Sequence, residues 1–195
     1  MNLQDINIQG DQEAQVLQAL TTKTFGRTKC FDAFFLVEIG MLDPFIKAFD
    51  YVGWSDFANI TEEGSVLLTQ EFPMTLRVDK RTTGTFINFR MFNTEFSVYP
   101  RQFADLLGFH SNCSLSDPAG YDMKTFWVEI CGEYGKGKHS TTKIHNPTLK
   151  LLARWVLLIV FPRGGVRCAP NEDLKCLCAM IKKKRYAPVL DIVHH

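Results

Sequence analysis

A segment rich in glycine and lysine comes closest to a catalytic motif. Residues Gly132 to Lys138 have the spacing G-x4-G-K of a loop that cradles nucleotide phosphates. The motif requires a Ser or Thr next, as a magnesium ligand, and the next residue is His139. It also requires a helix that begins at once, whereas the next helix start is Asn146-Pro147. The segment therefore predicts a surface loop, with a nucleotide-dependent enzyme as the weaker hypothesis.

Basic side chains occur in two segments that could bind an anion. These side chains are Lys136, Lys138 and Lys143 in the first segment and Lys182, Lys183, Lys184 and Arg185 in the second. Lysine and arginine neutralise phosphates, so a fold that joins the two segments would create a nucleic-acid-binding surface. The second run also has two other interpretations, a nuclear localisation signal and a set of cations that suits the C-terminus of a helix. Aromatic residues do not alternate with these charges, so the run does not predict a platform for stacked bases.

The six cysteines and the histidines form no metal-binding or catalytic pattern. Cys176 and Cys178 are two residues apart on a predicted helix, hence about 200° apart around its axis, and cannot both face one ion. The Cys-x2-Cys spacing of a zinc site is absent. His139 and His145 lie in a predicted loop, and no G-x-S-x-G nucleophile signature occurs. We therefore predict no enzyme, with no catalytic residue, metal, cofactor or small-molecule substrate.

The composition predicts an ordinary globular protein. A length of 195 residues suits one domain, and 46% apolar residues with sixteen phenylalanines predict an aromatic-rich core. A net charge of +1 gives no overall attraction to nucleic acid or anionic membranes. The first residues show no secretory signal, and the longest apolar run, Trp155 to Phe161, is far shorter than the roughly 20 residues of a membrane helix. We predict an intracellular protein of cytoplasm or nucleus, not secreted, with reduced cysteines and no membrane contact.

The elements that would position such residues centre on the stretch from Thr85 to Phe109. With Asn93-Thr94 as a two-residue loop, two strands pair as a hairpin. The facing pairs are then Met91 with Phe96, Arg90 with Ser97, and Phe89 with Val98. The pattern predicts one apolar face for the core and one wet face that carries Arg90. Because Asn-Thr is weaker turn chemistry than Asn-Gly, a longer loop is the alternative.

Capping signals and apolar stripes predict five to seven helices around this hairpin. Asp43-Pro44 is one helix start, with Asp43 as the cap. Asn146-Pro147 starts the strongest helix, which runs to Phe161 and is apolar nearly all round, as a central core helix is. Asn171 starts another helix that ends in the basic run. Residues 31–39 could be a strand or a helix, and residues 74–78 could be a strand that precedes the hairpin.

Several segments, in this order and spacing, resemble one known family. They are Trp54-x2-Phe57, Gln70-Glu71-Phe72, Ile87 to Asn93, Phe96-Ser-Val98 with Phe103 to Phe109, Ile144 to Pro147 with Leu149 and Leu152, Phe161-x-Arg-Gly164, and Asp173-Leu174 with Met180 before Lys182 to Lys184. The set is similar to the domain of the first open reading frame of plant Athila-type retrotransposons, a plant transposon protein domain. More distantly, the hairpin and its Leu-Leu-Gly helix resemble the plant mobile domain. One departure is Tyr99-Pro100, where the family usually has Ser or Thr before the helix.

The resemblance covers residues 31–193 and implies a retroelement origin in a plant genome, with no enzymatic activity and no catalytic residues. We predict a mostly helical α+β single domain with one antiparallel hairpin, about residues 85–98, packed on a central apolar helix, about residues 147–161. Residues 1–30 would be a polar lead-in, partly disordered, and the apolar pattern at the end suggests a chain truncated there. The predicted function is protein–protein interaction or assembly, with a protein partner or self-association. The alternative is a nucleic-acid-binding module that uses the two basic segments.

Overall fold

The computed structural model describes residues 6–22, 32–59, 65–133, 139–162 and 167–194. Within these ranges the chain forms ten α-helices and one three-stranded antiparallel sheet, which confirms a mostly helical α+β fold. The described residues form more helices than the five to seven predicted. The sheet also has one strand more than the predicted hairpin. The chain divides into two compact units, residues 1–28 with 61–103 and residues 29–60 with 104–195. Each unit is therefore built from two separate segments of the sequence.

The elements follow one another in this order: α1 (Asp11–Thr21), α2 (Ala33–Glu38), α3 (Leu42–Val52), α4 (Ser55–Ala58), α5 (Val66–Thr75), β1 (Arg77–Arg81), β2 (Gly84–Met91), β3 (Thr94–Val98), α6 (Pro100–Leu106), α7 (Met123–Cys131), a 3-10 turn (Thr141–Lys143), α8 (Pro147–Trp155), a π-helical segment (Val156–Val160), α9 (Asn171–Ile181) and α10 (Val189–His194). None of these helices has both the length and the apolar character needed to cross a membrane, a finding restricted to the ranges described above.

The hairpin is present, but its turn lies one residue earlier than predicted. Met91 pairs with Thr94 and Phe89 pairs with Phe96, so the two loop residues are Phe92 and Asn93. Both have positive φ, 52° and 59°, as a type I′ turn requires. The partner of each residue thus shifts by two positions, and an even shift keeps every side chain on its predicted face. The sheet also contains β1 as a third strand, beyond the predicted hairpin.

The apolar face of the hairpin packs on helices of its own unit. The Phe89 ring lies 5.3 Å from the ring of Phe72 on α5 and 5.7 Å from that of Phe103 on α6. We expected this face to pack on the helix of residues 147–161, which belongs to the second unit. Helix α5 supplies one of these contacts through Phe72, and it continues through Pro73 to Thr75.

The face of the hairpin that was expected in water carries a buried charge. Arg90 is 3% exposed, and its Nη2 lies 3.0 Å from Oε2 of Glu13 on α1. Its Nε lies 3.4 Å from Oε1 of Glu71 on α5. The Glu71 carboxylate also accepts hydrogen bonds from the turn amides of Phe92, at 2.6 Å, and Asn93, at 2.8 Å. Buried charges persist only when they are paired and hydrogen-bonded, so these three side chains link α1, α5 and the turn.

The core of the second unit is an aromatic cluster. Trp54 is fully buried, and its ring lies 5.6 Å from that of Phe109 and 6.3 Å from that of Trp155 on α8. Its indole Nε1 donates to the carbonyl oxygen of Tyr186 at 2.6 Å. The Asn146 side chain caps α8 through the amide of Leu149 at 2.9 Å, as predicted. The predicted helix to residue 161 is present, but its last turn is π-helical.

Candidate interaction surfaces

Part of the first predicted basic segment, with Lys136 and Lys138 in its loop, lies outside the described residues. Its third member, Lys143, ends the 3-10 turn, and its Nζ lies 3.5 Å from Oε1 of Glu133. In the second segment, the Nζ of Lys182 lies 2.6 Å from both carboxylate oxygens of Glu129 on α7. Glu129 and Glu133 are four residues apart, so one member of each basic segment reaches the same end of α7. Both cations are neutralised there.

The remaining cations of the second segment follow the end of α9. Lys183 adopts a left-handed backbone, with φ of 54°, and its Nζ lies 4.5 Å from the ring centroid of Tyr51. Lys184 is exposed. Arg185 lines a cavity of about 270 Å³, and Asp50 and Asp56 also line it. Lys182 and Arg185 therefore have acidic neighbours, whereas Lys183 lies over an aromatic ring and Lys184 is exposed.

The cysteines and histidines that were tested for metal chemistry are spread through the second unit. The five described cysteines are free thiols, and Cys176 and Cys178 both lie within α9. Burial raises the pKa of both thiols, which disfavours the thiolate that binds metals. Burial also lowers the pKa of His139, whose ring lies 4.6 Å from that of Trp127. In the part of the chain that the structure describes, no three His, Cys, Asp or Glu side chains are arranged to hold a metal ion.

An exposed apolar surface is the feature that the sequence did not single out. We call it the α2 patch. It consists of the exposed side chains of Phe34 and Phe35 on α2, and the apolar side chains of Val37 and Ile39, on and just after the same helix, are exposed as well. Phe34 is 72% exposed and Phe35 is 54% exposed, whereas Leu36 is the buried residue of α2. The apolar run of residues 31–39 was the available signal, but a short apolar run predicts burial and does not show which residues remain outside.

The local sequence explains why α2 holds this shape. The Asp32 carboxylate accepts hydrogen bonds from the backbone amides of Phe34, at 2.9 Å, and Phe35, at 3.2 Å. Such a cap satisfies two of the amides that a helix start leaves unpaired. The cap and the buried Leu36 therefore fix a helix whose other apolar side chains point outward. The residue types suit association with another apolar surface, and they offer no nucleophile, acid or base.

The comparison with protein families decides the origin of the chain. A model described as the ATHILA ORF-1 family matches residues 13–183. The chain belongs to the ATHILA ORF-1 family. The predicted resemblance is thereby confirmed, and with it the assignment to a transposable element, a plant retrotransposon. No curated protein and no solved structure matches the chain significantly.

The match to the ATHILA ORF-1 family includes residues of both compact units. It begins at Glu13, the α1 residue that pairs with Arg90, and ends at Lys183, within the second basic segment. It also spans the α2 patch. The family assignment by itself names no ligand or partner.

Proposed function

We propose that this chain is a non-enzymatic domain of retroelement origin that associates with other copies of itself through the α2 patch. The observation that supports this proposal is the exposure of Phe34 and Phe35 side by side on one short helix. Neighbouring exposed apolar side chains on one element mark interaction sites when the patch they form approaches a few hundred Å². A second copy of the chain supplies an apolar surface of the same chemistry, and it is present wherever the first copy is.

The size of the patch is adequate for a central contact. A phenylalanine side chain buries about 150–250 Å², so rings exposed at 72% and 54% offer roughly 250 Å² together. Each partner in a standard interface contributes about 800 Å², of which the centre is the apolar part. Val37 follows Phe34 by three residues and Ile39 follows Phe35 by four, the spacings at which side chains of a helix are neighbours, so both add exposed apolar area beside the two rings. Aromatic residues at such a centre carry most of the binding free energy.

Light scattering coupled to size exclusion tests the proposal on the intact chain over the micromolar range. We expect an average mass that rises with concentration, and a double variant, Phe34→Ser with Phe35→Ser, that stays monomeric. Leu106→Ser is the matched control, because Leu106 is 67% exposed in the same unit but lies outside the patch. A wild-type chain that remains strictly monomeric at high concentration would contradict self-association. So would a control that dissociates as much as the double variant.

Nucleic-acid binding through the basic segments is a second candidate function. It is supported by the approach of Lys143 and Lys182 to glutamates four residues apart at one end of α7. Exposed ion pairs contribute only about 0–1 kcal/mol, so a phosphate could replace either glutamate. The double variant Lys143→Ala with Lys182→Ala should then bind RNA more weakly and with a smaller salt dependence. Lys47→Ala, at an exposed site on α3, is the control, and a flat salt response of the wild type would dispose of this function.

The proposal includes the absence of catalysis at the glycine and lysine loop. Its test is equilibrium binding of ATP and GTP, for which we expect no saturable signal. Saturable binding that is lost in Lys138→Ala would contradict the non-enzymatic assignment.

A further inference from the structure

Three side chains of the first unit form a continuous stack across its sheet. We call it the sheet stack, and its members are Arg81 of β1, Phe86 of β2 and Tyr99, which follows β3. The guanidinium carbon of Arg81 lies 5.1 Å from the centroid of the Phe86 ring, within the range of a cation–π interaction. The Phe86 and Tyr99 rings lie 4.6 Å apart, tilted by 36°. The central ring therefore has a cation on one side and an aromatic ring on the other.

The Tyr99 ring is the open end of the sheet stack. Tyr99 is 46% exposed, and its Cε1 lies near Gly84, where an added Cβ would come within 3.5 Å. Tyr99 immediately precedes α6. The Gln102 side chain accepts a hydrogen bond from the Tyr99 amide at 2.8 Å, so the helix start is capped without a hydroxyl. The ring at residue 99 is thus not needed for the cap and remains available on the sheet.

The charges around the sheet stack favour an anionic ligand with flat groups. The register places Arg77, Asp79 and Arg81 on the face of the sheet that carries Phe86 and, further along β2, the buried Arg90. Arg77 is half exposed, and its Nη2 lies 3.8 Å from Oε1 of Glu13. The Asp79 carboxylate already has two partners. Its Oδ2 lies 3.1 Å from Nη2 of Arg81 and accepts a hydrogen bond from the side-chain Nδ2 of Asn88 at 2.8 Å. The Arg81 and Asp79 side chains are both about half exposed, so this ion pair exchanges readily with solvent ions.

We propose that the sheet stack binds the unpaired bases of a single-stranded nucleic acid. A base would stack on the exposed ring of Tyr99, which Phe86 supports from behind, and the flanking phosphates would contact Arg81 and Arg77. Exposed aromatic side chains beside cations that contact the phosphates are the chemistry by which proteins bind single strands. A protein partner would be favoured by an uncharged apolar face, whereas here arginine and rings alternate. The site uses none of the lysines considered above, so it does not rest on either proposed function.

Fluorescence anisotropy of labelled oligo-uridine and oligo-thymidine with the full chain tests this site. Tyr99→Ala should weaken binding by about 5- to 150-fold, the range that corresponds to the loss of one base–aromatic stack. Tyr99→Phe should bind almost as the wild type does, because stacking needs the ring and not the hydroxyl. Arg81→Ala should reduce the salt slope by about 1. Asp79→Asn should tighten binding, because it removes the negative charge beside the stack.

Phe96→Ala is the matched control. Phe96 is 42% exposed on the opposite face of the same sheet, since it pairs with Phe89, and its loss should leave the affinity unchanged. Ultraviolet crosslinking followed by mass spectrometry should place the adduct on Tyr99 or Phe86. The proposal is overturned if the wild type does not bind single strands, if Tyr99→Ala binds as the wild type does, or if Phe96→Ala loses as much affinity. Crosslinks confined to residues 139–185 would also overturn it, in favour of the basic segments.

Discussion

Replacing Arg90 by methionine should lower the free energy of unfolding of the first unit by about 3–5 kcal/mol, the cost of removing one member of a buried ion pair. Methionine keeps the length of the aliphatic stem, so the loss reflects the missing charge. Glu13 and Glu71 are then left at 2% and 1% exposure without their shared cation. Glu71 keeps the two turn amides. Glu13 keeps the backbone amide of Gln9, at 2.7 Å, and the Arg77 guanidinium, whose Nη2 lies 3.8 Å from its Oε1. These partners place the expected loss near about 3 kcal/mol.

The loss should depend on pH. Burial raises the pKa of Glu13, but the hydrogen bond from Gln9 and the charge of Arg90 outweigh burial and hold this pKa below its ordinary value. A carboxyl group whose pKa is lowered by folding stabilises the fold above its unfolded pKa, and this contribution disappears as the pH falls through the folded pKa. The difference between wild type and Arg90→Met should therefore be complete at neutral pH and should shrink in acid below the ordinary glutamate range.

Urea denaturation followed by far-ultraviolet circular dichroism is the appropriate assay. All three tryptophans, Trp54, Trp127 and Trp155, belong to the second unit, so tryptophan fluorescence follows that unit and serves as an internal reference. Arg81→Met is the matched control on the same sheet. Its pair with Asp79 is exposed at 57% and 45%, and the expected loss is about 0–1 kcal/mol.

A double variant separates the charge from the cavity. Adding Glu13→Leu to Arg90→Met removes one of the two stranded carboxylates, so the double variant should be more stable than Arg90→Met alone. If Arg90→Met and Arg81→Met cost the same, Arg90 does not act as a buried counter-ion and the reasoning is refuted.

Three further predictions concern the second unit. Leu157→Ala should lower the free energy of unfolding by about 2–5 kcal/mol, because the Leu157 side chain is fully buried. The variant Leu158→Ala, at the half-buried neighbouring position, should cost clearly less, and thermal melting of both variants provides the comparison. Gly53 and Gly120 both have positive φ, 81° and 74°, but only at Gly53 would a new Cβ lie 2.7 Å from the buried sulfur of Cys113. Gly53→Ala should therefore be more destabilising than Gly120→Ala, and equal melting temperatures would contradict this. Cys176 should resist alkylation by iodoacetamide until the chain is unfolded, because its side chain is buried and burial raises the pKa of its thiol well above the ordinary value. Mass spectrometry of native and urea-treated samples measures the labelling, and rapid labelling of the native chain would contradict the prediction.

Local signals were sufficient where the stabilising partner lies nearby in sequence. The Asn146-Pro147 pair predicted the start of α8 because the cap bonds an amide three residues away. The alternation of Phe89, Met91 and Phe96 predicted the faces of the hairpin because side chains alternate along any strand. At Asp43-Pro44 the same logic missed by two residues, since α3 begins at Leu42 with Met41 as its N-cap.

Distant partners explain the features that could not be predicted. The turn at Phe92-Asn93 is poor local turn chemistry, and it is stabilised by the carboxylate of Glu71, twenty-one residues away from Phe92. Arg90 matches a wet face by pattern, yet its partner Glu13 lies 77 residues away. The sheet stack likewise joins Arg81 to Phe86 and Tyr99 through pairing of three strands. The α2 patch escaped prediction because apolar residues are assigned to the interior by default.

The division of each unit into two stretches of sequence has a consequence for synthesis on the ribosome. Glu13 emerges long before Arg90, which is synthesised 77 residues later. At roughly 5–20 residues per second, on the order of 4–15 s pass between the synthesis of Glu13 on α1 and that of its partner Arg90. Residues 29–60 of the second unit are made during that interval and must wait in turn for residues 104–195. Translation therefore imposes an interlocked order of folding, in which each unit stays incomplete while part of the other is made.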